Sequence, residues 1–186
     1  MEKIVLVTGA AKGIGRCIAE NLLKQGYTVL ATYNKSEREA IELKEKYNSV
    51  DIYKADLSKY NEVLNLANYA IKKYNKIDIL INNAGIDYVG LFTETTYDDW
   101  NNIINTNLNS VFYLTREIAK NMIQNKKGNI INISSIWGIV GASCEVAYAV
   151  SKAGIDAMTK SLAKELRTFK YKSKFNCTWY NRYWNE

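Results

Sequence analysis

The chain has 186 residues, enough for one domain with a substantial core, and its hydrophobic share of 47% and charged share of 24% exclude a disordered or membrane protein. No apolar run approaches the roughly eighteen residues of a bilayer span, and no signal peptide precedes the first strand, so we expect a cytoplasmic protein without membrane contact. Of the net charge of +6, +4 lies in residues 167–186, which contain five basic residues and one acidic residue. The first 166 residues carry only +2, so they do not indicate a nucleic-acid-binding domain.

Histidine is absent from the chain, which excludes catalytic triads built on histidine and disfavours the common zinc sites. The three cysteines, Cys17, Cys144 and Cys177, are widely spaced and form no C-x-x-C pair, which is typical of reduced thiols. We therefore expect no metal site, and proton transfer falls to other side chains, with Tyr and Lys as the candidates.

Short apolar runs rich in Val and Ile alternate with amphipathic segments over residues 3–166. This alternation predicts an α/β fold, a Rossmann-like doubly wound parallel sheet. Gly26 is expected to end the first helix and Ser58 to cap the third. The predicted strands span residues 4–7, 28–31, 50–53, 77–81 and 129–133, and the predicted helices span residues 14–25, 37–47, 60–74, 98–124 and 147–166.

A glycine-rich turn, T-G-A-A-K-G-I-G, joins the first strand to the first helix. Glycines at this junction permit a tight turn and let backbone N–H groups approach a pyrophosphate at the helix N-terminus. We predict a dinucleotide site that includes Gly9, Lys12, Gly13, Ile14 and Gly15. The alternative is a plain strand-to-helix turn.

The end of the second strand, A-T-Y-N-K, carries no carboxylate that would hold the 2′-hydroxyl of NAD(H). Lys12 in the glycine turn and Lys35 beyond the strand are instead suited to a 2′-phosphate. The sequence therefore favours NADP(H), bound with the help of Thr32 and Lys35. The alternative is that both lysines are ordinary solvated charges.

Tyr148 and Lys152 are separated by one helical turn and therefore share a helix face. An unperturbed phenol titrates near pH ~10, and a neighbouring ammonium lowers its pKa. Ser135, at the end of the fifth strand, is placed to donate a hydrogen bond to a substrate carbonyl. We predict these three residues to be catalytic, against the alternative of a surface helix pair.

The chain resembles the classical short-chain dehydrogenase/reductase family in the order and spacing of four motifs. These are the glycine-rich turn, the N-N-A-G segment at 82–85, Ser135, and the Y-x-x-x-K pair. The resemblance covers residues 3–166 and implies NADP-dependent reduction of a carbonyl. It implies that Asn107 is the fourth catalytic residue. Further cofactor contacts are implied at Asp56, Leu57, Asn83, Ala84 and Gly85, and also at Tyr148 and Lys152.

Within that family the chain resembles the bacterial 3-oxoacyl-acyl-carrier-protein reductases of fatty acid biosynthesis. The segment S-S-I-W-G at 134–138 is also similar to a Firmicute branch that includes elongation factor P 5-aminopentanone reductase. The resemblance implies a small-molecule or carrier-bound ketone as substrate, no nucleic acid or membrane partner, and a dimer or tetramer. The alternatives are a non-catalytic dinucleotide-binding or interaction protein, and an inactive truncated fragment.

Residues 167–186 depart from the family and form a basic, aromatic tail after a domain of residues 1–166. The chain has no proline, and its tail lacks the family's V-N-x-I-x-P-G stretch. When the tail is back-translated with AT-rich codons and the reading frame is moved forward by one nucleotide, the translation can contain that stretch. We therefore predict a frameshift near residue 167. The family's C-terminal strands are then missing, the fifth strand is expected to be an exposed edge, and activity and oligomer formation are in doubt. The alternative is a genuine tail, which could bind single-stranded nucleic acid.

Overall fold

A computed structural model of the protein describes residues 3–167 and 175–180. Its centre is a six-stranded parallel sheet with the order β3-β2-β1-β4-β5-β6. The strand order reverses between β1 and β4, and α/β sheets of this kind bind ligands beyond the carboxyl ends of the strands at that point. The strands are β1 (Ile4–Val7), β2 (Thr28–Tyr33), β3 (Val50–Lys54), β4 (Ile79–Asn82), β5 (Gly128–Ile133) and β6 (Phe175–Tyr180).

Helices cover both faces of the sheet, because successive residues of a buried strand point to opposite sides. On one face Ile4 and Leu6 of β1 pack in a core cluster with α3 and α5, and on the other Val5 and Val7 pack with α1 and α2. No helix in the described part of the chain combines the length and apolar character needed to cross a membrane. The helices are α1 (Gly13–Lys24), α2 (Glu37–Lys46), α3 (Tyr60–Tyr74), α4 (Tyr97–Ile104), α5 (Ser110–Gln124), α6 (Trp137–Val140) and α7 (Val146–Arg167), with a 3₁₀ turn at Phe92–Glu94.

The helix predicted over residues 98–124 is wrong as a single element. The structure divides it into α4, a π-helical turn at Asn105–Asn109, and α5. The wider turn brings Asn107 inward, where its amide bonds the backbone of Ile86 in both directions. The interruption lets Asn107 pair both backbone groups of the half-buried Ile86, and π-turns of this kind are frequent at functional sites.

Ser58 does not cap α3, contrary to the sequence prediction. The residue before the helix is Lys59, which makes no capping bond with its side chain. Ser58 instead donates its hydroxyl and its N–H to Asp56 Oδ1, at 2.7 and 3.1 Å. The carboxylate of Asp56 is the stronger acceptor for the hydroxyl, and it draws Ser58 away from the helix end. Gly26 does follow the end of α1, with a positive φ of 81°.

The prediction that β5 is an unpaired sheet edge is also wrong, because β6 pairs with it in parallel from Gly128 opposite Phe175 to Ile133 opposite Tyr180. The segment F-N-C-T-W-Y is rich in aromatic and β-branched residues, which favour strands. The backbone groups along β5 give it a template for pairing. No family strand beyond β6 occurs in the described part of the chain, and residues 168–174 and 181–186 of the predicted tail lie outside it.

Candidate active site

The glycine turn lies at the carboxyl end of β1 and leads directly into α1, whose first residue is Gly13. Gly9 and Gly13 have positive φ values of 64° and 58°, which side chains rarely adopt. Lys12, the residue before α1, is exposed and makes no capping bond. Ile14 is half-buried. The free N–H groups of the first helical turn therefore face an open approach, which suits an anionic ligand.

Close packing around Gly9 and Gly15 explains why the turn needs glycine at both positions. A Cβ on Gly15 would lie 2.2 Å from Gly9 O and 2.5 Å from Asn83 Nδ2, and a Cβ on Gly9 would lie 3.0 Å from Ala84 Cα. Asn83 fixes the turn by donating from Nδ2 to Thr8 O at 2.9 Å and to Gly9 O at 3.2 Å. The turn and the segment after β4 are thus one rigid cradle.

Thr32, near the end of β2, holds the glycine turn from the other side. Its hydroxyl accepts from Gly9 N at 3.2 Å, and its carbonyl accepts from Ala10 N at 2.8 Å. Lys35 is exposed two residues beyond β2 and, like Lys12, forms no ion pair within the part of the chain that the structure describes. The structure thus leaves both ammonium groups available to an anion at this edge of the sheet.

Asp56 follows β3 and is held in a local hydrogen-bonded turn. Burial raises the pKa of its carboxyl, but hydrogen bonds from Ser58 and the charge of Lys59, 3.5 Å away, outweigh burial and hold the pKa below its usual value. Asp56 therefore stays ionised and accepts hydrogen bonds. Leu57 packs into the core and is 7% exposed, so its side chain fixes the position of the segment after β3.

Lys152 is a buried cation on α7, with 5% of its surface exposed. Its Nζ donates to the carbonyl of Ile133, the last residue of β5, at 2.9 Å. Burial lowers the pKa of Lys152 to about 8, and the charge of Asp156 opposes that shift. A Cβ built on Gly85 would lie 3.6 Å from this Nζ, so the segment after β4 passes directly beside the lysine.

Tyr148 lies one helical turn before Lys152, and the Lys152 ammonium is 5.5 Å from the centre of its ring. A cation at this distance stabilises negative charge on the phenol. Ser135 follows β5 by two residues and is 7% exposed. Its hydroxyl oxygen accepts from Trp137 N at 3.3 Å, which leaves the hydroxyl hydrogen to donate elsewhere. Tyr148 and Lys152 lie on α7 and Ser135 lies just beyond β5, and the hydrogen bond from Lys152 to Ile133 holds the helix against the end of that strand.

Asn107 is 1% exposed and connects three segments around the lysine. Its Nδ2 donates to Ile86 O at 2.8 Å and to Ser151 Oγ at 3.2 Å, while its Oδ1 accepts from Ile86 N. Ser151 in turn donates to Tyr148 O at 2.7 Å. The π-helical turn is therefore tied to the helix that carries Tyr148.

Two residues that the sequence analysis did not single out also hold the site. The hydroxyl of Thr8 accepts from the N–H groups of Asn83 and Ala84, at 2.9 and 3.0 Å, and so joins β1 to the segment after β4. Ser151 bridges Asn107 and Tyr148, as described above. Thr8 precedes the first glycine of the turn and Ser151 precedes Lys152, so their adjacency to motif residues is the signal that indicates them.

The residues at the carboxyl ends of the strands can bind a dinucleotide, and the Tyr148 phenol beside Lys152 can transfer a proton. The cradle offers backbone donors to a pyrophosphate, and its surface lysines offer positive charge. A phenol beside a buried ammonium is suited to proton transfer with a reacting oxygen. The predicted residues fit a nicotinamide dinucleotide, because the turn leaves the first N–H groups of α1 open to an anion and Lys12 is exposed beside them.

Comparison with known proteins agrees with this geometry. A family described as short chain dehydrogenase matches residues 3–174. Two relatives named 3-oxoacyl-acyl-carrier-protein reductase, from Buchnera aphidicola and Thermotoga maritima, are each 37% identical over 169 and 167 residues. These matches cover 89% and 88% of this chain and 68% of each relative.

Solved structures give the same result at the level of the fold. A metagenomic short-chain oxidoreductase in complex with NADP superimposes with a TM-score of 0.84 at 30% identity, covering 93% of this chain and 80% of that one. A short-chain dehydrogenase from Streptomyces avermitilis superimposes with a TM-score of 0.87 at 28% identity, covering 97% and 71%.

Proposed function

The chain belongs to the short-chain dehydrogenase family, and from this premise we propose that it is an NADPH-dependent carbonyl reductase acting on a 3-oxoacyl thioester. The observation that carries the proposal is the buried ammonium of Lys152 beside the Tyr148 ring, at the end of the strand that leads to Ser135. A surface pair of Tyr and Lys would not be desolvated in this way.

In this proposal the cofactor lies across the carboxyl ends of β1, β2 and β4. Backbone N–H groups at Gly13, Ile14 and Gly15 would hold the pyrophosphate, since the N-terminus of α1 favours negative charge. Asp56 and Leu57 would hold the adenine end. Asn83, Ala84 and Gly85 would line the cradle, as their contacts with Gly9 and Lys152 suggest.

NADPH is proposed over NADH because of the charges near the end of β2. Lys12 and Lys35 would face the 2′-phosphate, with Thr32 supporting the turn between them. Glu37 is the first acidic residue after β2. Its carboxylate accepts a hydrogen bond from Tyr33 OH at 3.2 Å and lies 3.6 Å from Lys54 Nζ. Its charge is therefore already paired, and it does not act as the carboxylate that would repel a phosphate.

When bound, the cofactor supplies a hydride to the carbonyl carbon of the substrate. The phenol of Tyr148 donates its proton to the carbonyl oxygen as that oxygen becomes negative. Lys152 stabilises the phenolate that remains, because its ammonium lies over the ring and is shielded from water. Lys152 would also hold the ribose hydroxyls.

Ser135 donates its free hydroxyl hydrogen to the same carbonyl oxygen, which stabilises the developing charge. Asn107 acts from behind the lysine, where its bonds to Ile86 and Ser151 keep the π-helical turn and α7 in register. As the family resemblance implies, the position of Asn107 would support a water-linked proton path toward Lys152. Asn107 is thus proposed as the fourth member of the catalytic group.

The substrate class is proposed from the relatives, two of which carry the name of a 3-oxoacyl-acyl-carrier-protein reductase. A non-catalytic dinucleotide-binding protein is the alternative, and it shares the cradle but needs neither the phenol nor the ammonium. Turnover separates the two, because both would bind NADPH.

The test compares Tyr148→Phe with the wild type, using NADPH oxidation by an acetoacetyl thioester and cofactor fluorescence. We expect the rate to fall by about 10² to 10⁴ while the affinity for NADPH stays within twofold, because only the proton donor is lost. Tyr97→Phe is the matched control, since that tyrosine is 91% exposed on α4. NADPH binding without turnover in the wild type would favour the non-catalytic alternative.

A further inference from the structure

Asp156 carries a buried carboxyl group that the proposed reaction does not use. The residue is 5% exposed, and its Oδ1 accepts no hydrogen bond from the described residues. A buried carboxylate oxygen without a donor destabilises the folded state. Native structures keep few such groups, and each one calls for an explanation other than stability.

The position of Asp156 supplies that explanation. It follows Lys152 by four residues on α7, so the two side chains share one face of the helix. Lys152 is equally buried, and its Nζ bonds a neutral carbonyl, Ile133 O, with no ion pair among the described residues. A buried ammonium bonded to a neutral oxygen needs a negative charge nearby to remain protonated.

Among the side chains that the structure describes, no other acidic group around α7 takes this role. The elements β5, α6 and the π-helical turn contain none, as their sequences G-N-I-I-N-I, W-G-I-V and N-T-N-L-N show. The ionisable residues on the remaining described neighbours include Tyr97, Asp98 and Asp99 of α4, Asp87 and Tyr88 of the loop after β4, Glu145 before α7, and Tyr148, Lys160, Lys164 and Glu165 of α7 itself. Asp98 and Asp87 are exposed, and Asp99 accepts from Thr96 Oγ1 at 2.6 Å.

We propose that Asp156 is a positioning residue that acts through Lys152, keeping the lysine ammonium charged where the phenol of Tyr148 needs it. Burial lowers the pKa of Lys152, and the carboxylate of Asp156 raises it toward the ordinary value. The importance of this role for catalysis rests on the proposed function. The effect on Lys152 itself does not, because it is a property of the protein without substrate.

The test measures the titration of Lys152 directly by NMR, in unliganded protein labelled with carbon-13 at the lysine Cε. The signal is assigned by its loss in Lys152→Met. We expect Lys152 to titrate near the value of about 8 in the wild type and about one unit lower in Asp156→Asn. Asp98→Asn is the matched control and should leave the titration unchanged, since its charge is solvated.

Stability is the second readout, and it separates this role from a structural one. Because the carboxylate stabilises the folded protein only while Lys152 is charged, the melting temperature of Asp156→Asn should be lower relative to the wild type near pH 6 than near pH 9. Loss of a carboxylate with a purely structural role would instead lower the melting temperature by the same amount at both pH values. Asp156→Ala, which is smaller than Asp, serves if Asp156→Asn does not fold. A Lys152 titration that is the same in the folded variants and the wild type would overturn the proposal.

Turnover then gives the catalytic consequence. In an active enzyme, the loss of kcat/KM at high pH should begin about one pH unit lower in Asp156→Asn, with little change near pH 6. A uniform decrease at every pH would also contradict the proposal. If the wild type shows no turnover, the proposed function fails while the NMR result still decides the role of Asp156.

Discussion

Gly15→Ala tests whether the glycine turn is held as tightly as its contacts indicate. Gly15 is the third residue of α1, where alanine would ordinarily stabilise the helix by about 1 kcal/mol. Here the new Cβ would lie 2.2 Å from Gly9 O and 2.5 Å from Asn83 Nδ2, and the first of these is backbone that cannot rotate away. We therefore expect the opposite sign, a loss of about 3 kcal/mol, the upper part of the range for overpacking.

In a chain of this length a loss of about 3 kcal/mol lowers the melting temperature by about 6–12 °C. Circular dichroism measures that change, and NADPH fluorescence should show an affinity at least about tenfold lower because Asn83 is displaced. Gly26→Ala is the control. Its φ is +81° and its Cβ would meet nothing within 4 Å, so it should cost about 1 kcal/mol of stability and leave NADPH affinity unchanged. A Gly15→Ala protein that melts with the wild type and binds NADPH equally well would refute the reasoning.

Three further predictions address charge and sequence. Lys35→Glu should weaken NADPH binding about tenfold relative to NADH binding, whereas the control Lys24→Glu should leave both affinities unchanged. An equal loss of affinity for both cofactors in Lys35→Glu would argue against a contact with the 2′-phosphate. Burial lowers the pKa of Lys152 in the folded state, so the unfolded chain binds more protons between about pH 8 and 10.5. In urea unfolding, the wild type should therefore gain up to about 3 kcal/mol over Lys152→Met as pH rises from about 8 to 10.5, and this gain should disappear as pH falls back to about 8. In the DNA sequence around the codon for Arg167, the reading frame shifted forward by one nucleotide should encode V-N-x-I-x-P-G. If that shifted frame does not encode this stretch, the frameshift hypothesis is wrong.

The regular elements were predictable because local pattern and tertiary burial agree. The apolar run Ile4–Val7 is a strand buried on both faces, and the amphipathic period of Tyr60–Tyr74 defines α3 with the predicted bounds. The π-helical turn was missed because the apolar period continues through it. Its polar sequence, N-T-N-L-N, has low helix propensity, and that is the signal that could have revealed the interruption.

Strand β6 was missed for a different reason. Its pairing depends on the ladder groups of β5, so the segment Phe175–Tyr180 acquires its structure from a distant part of the chain. The candidate site shows the same limit. Spacing predicted that Tyr148 and Lys152 share a helix face, but it could not predict that Lys152 is buried against Ile133 or that Asp156 is buried with it.

A crystal structure of the protein with NADP⁺ tests the central claim most directly. We expect the pyrophosphate at the N-terminus of α1 and the nicotinamide ring beside the Tyr148 phenol. The Lys152 ammonium should lie between the Tyr148 ring and the end of β5. A dinucleotide bound elsewhere, or one whose nicotinamide lies away from Tyr148 and Ser135, would contradict the account.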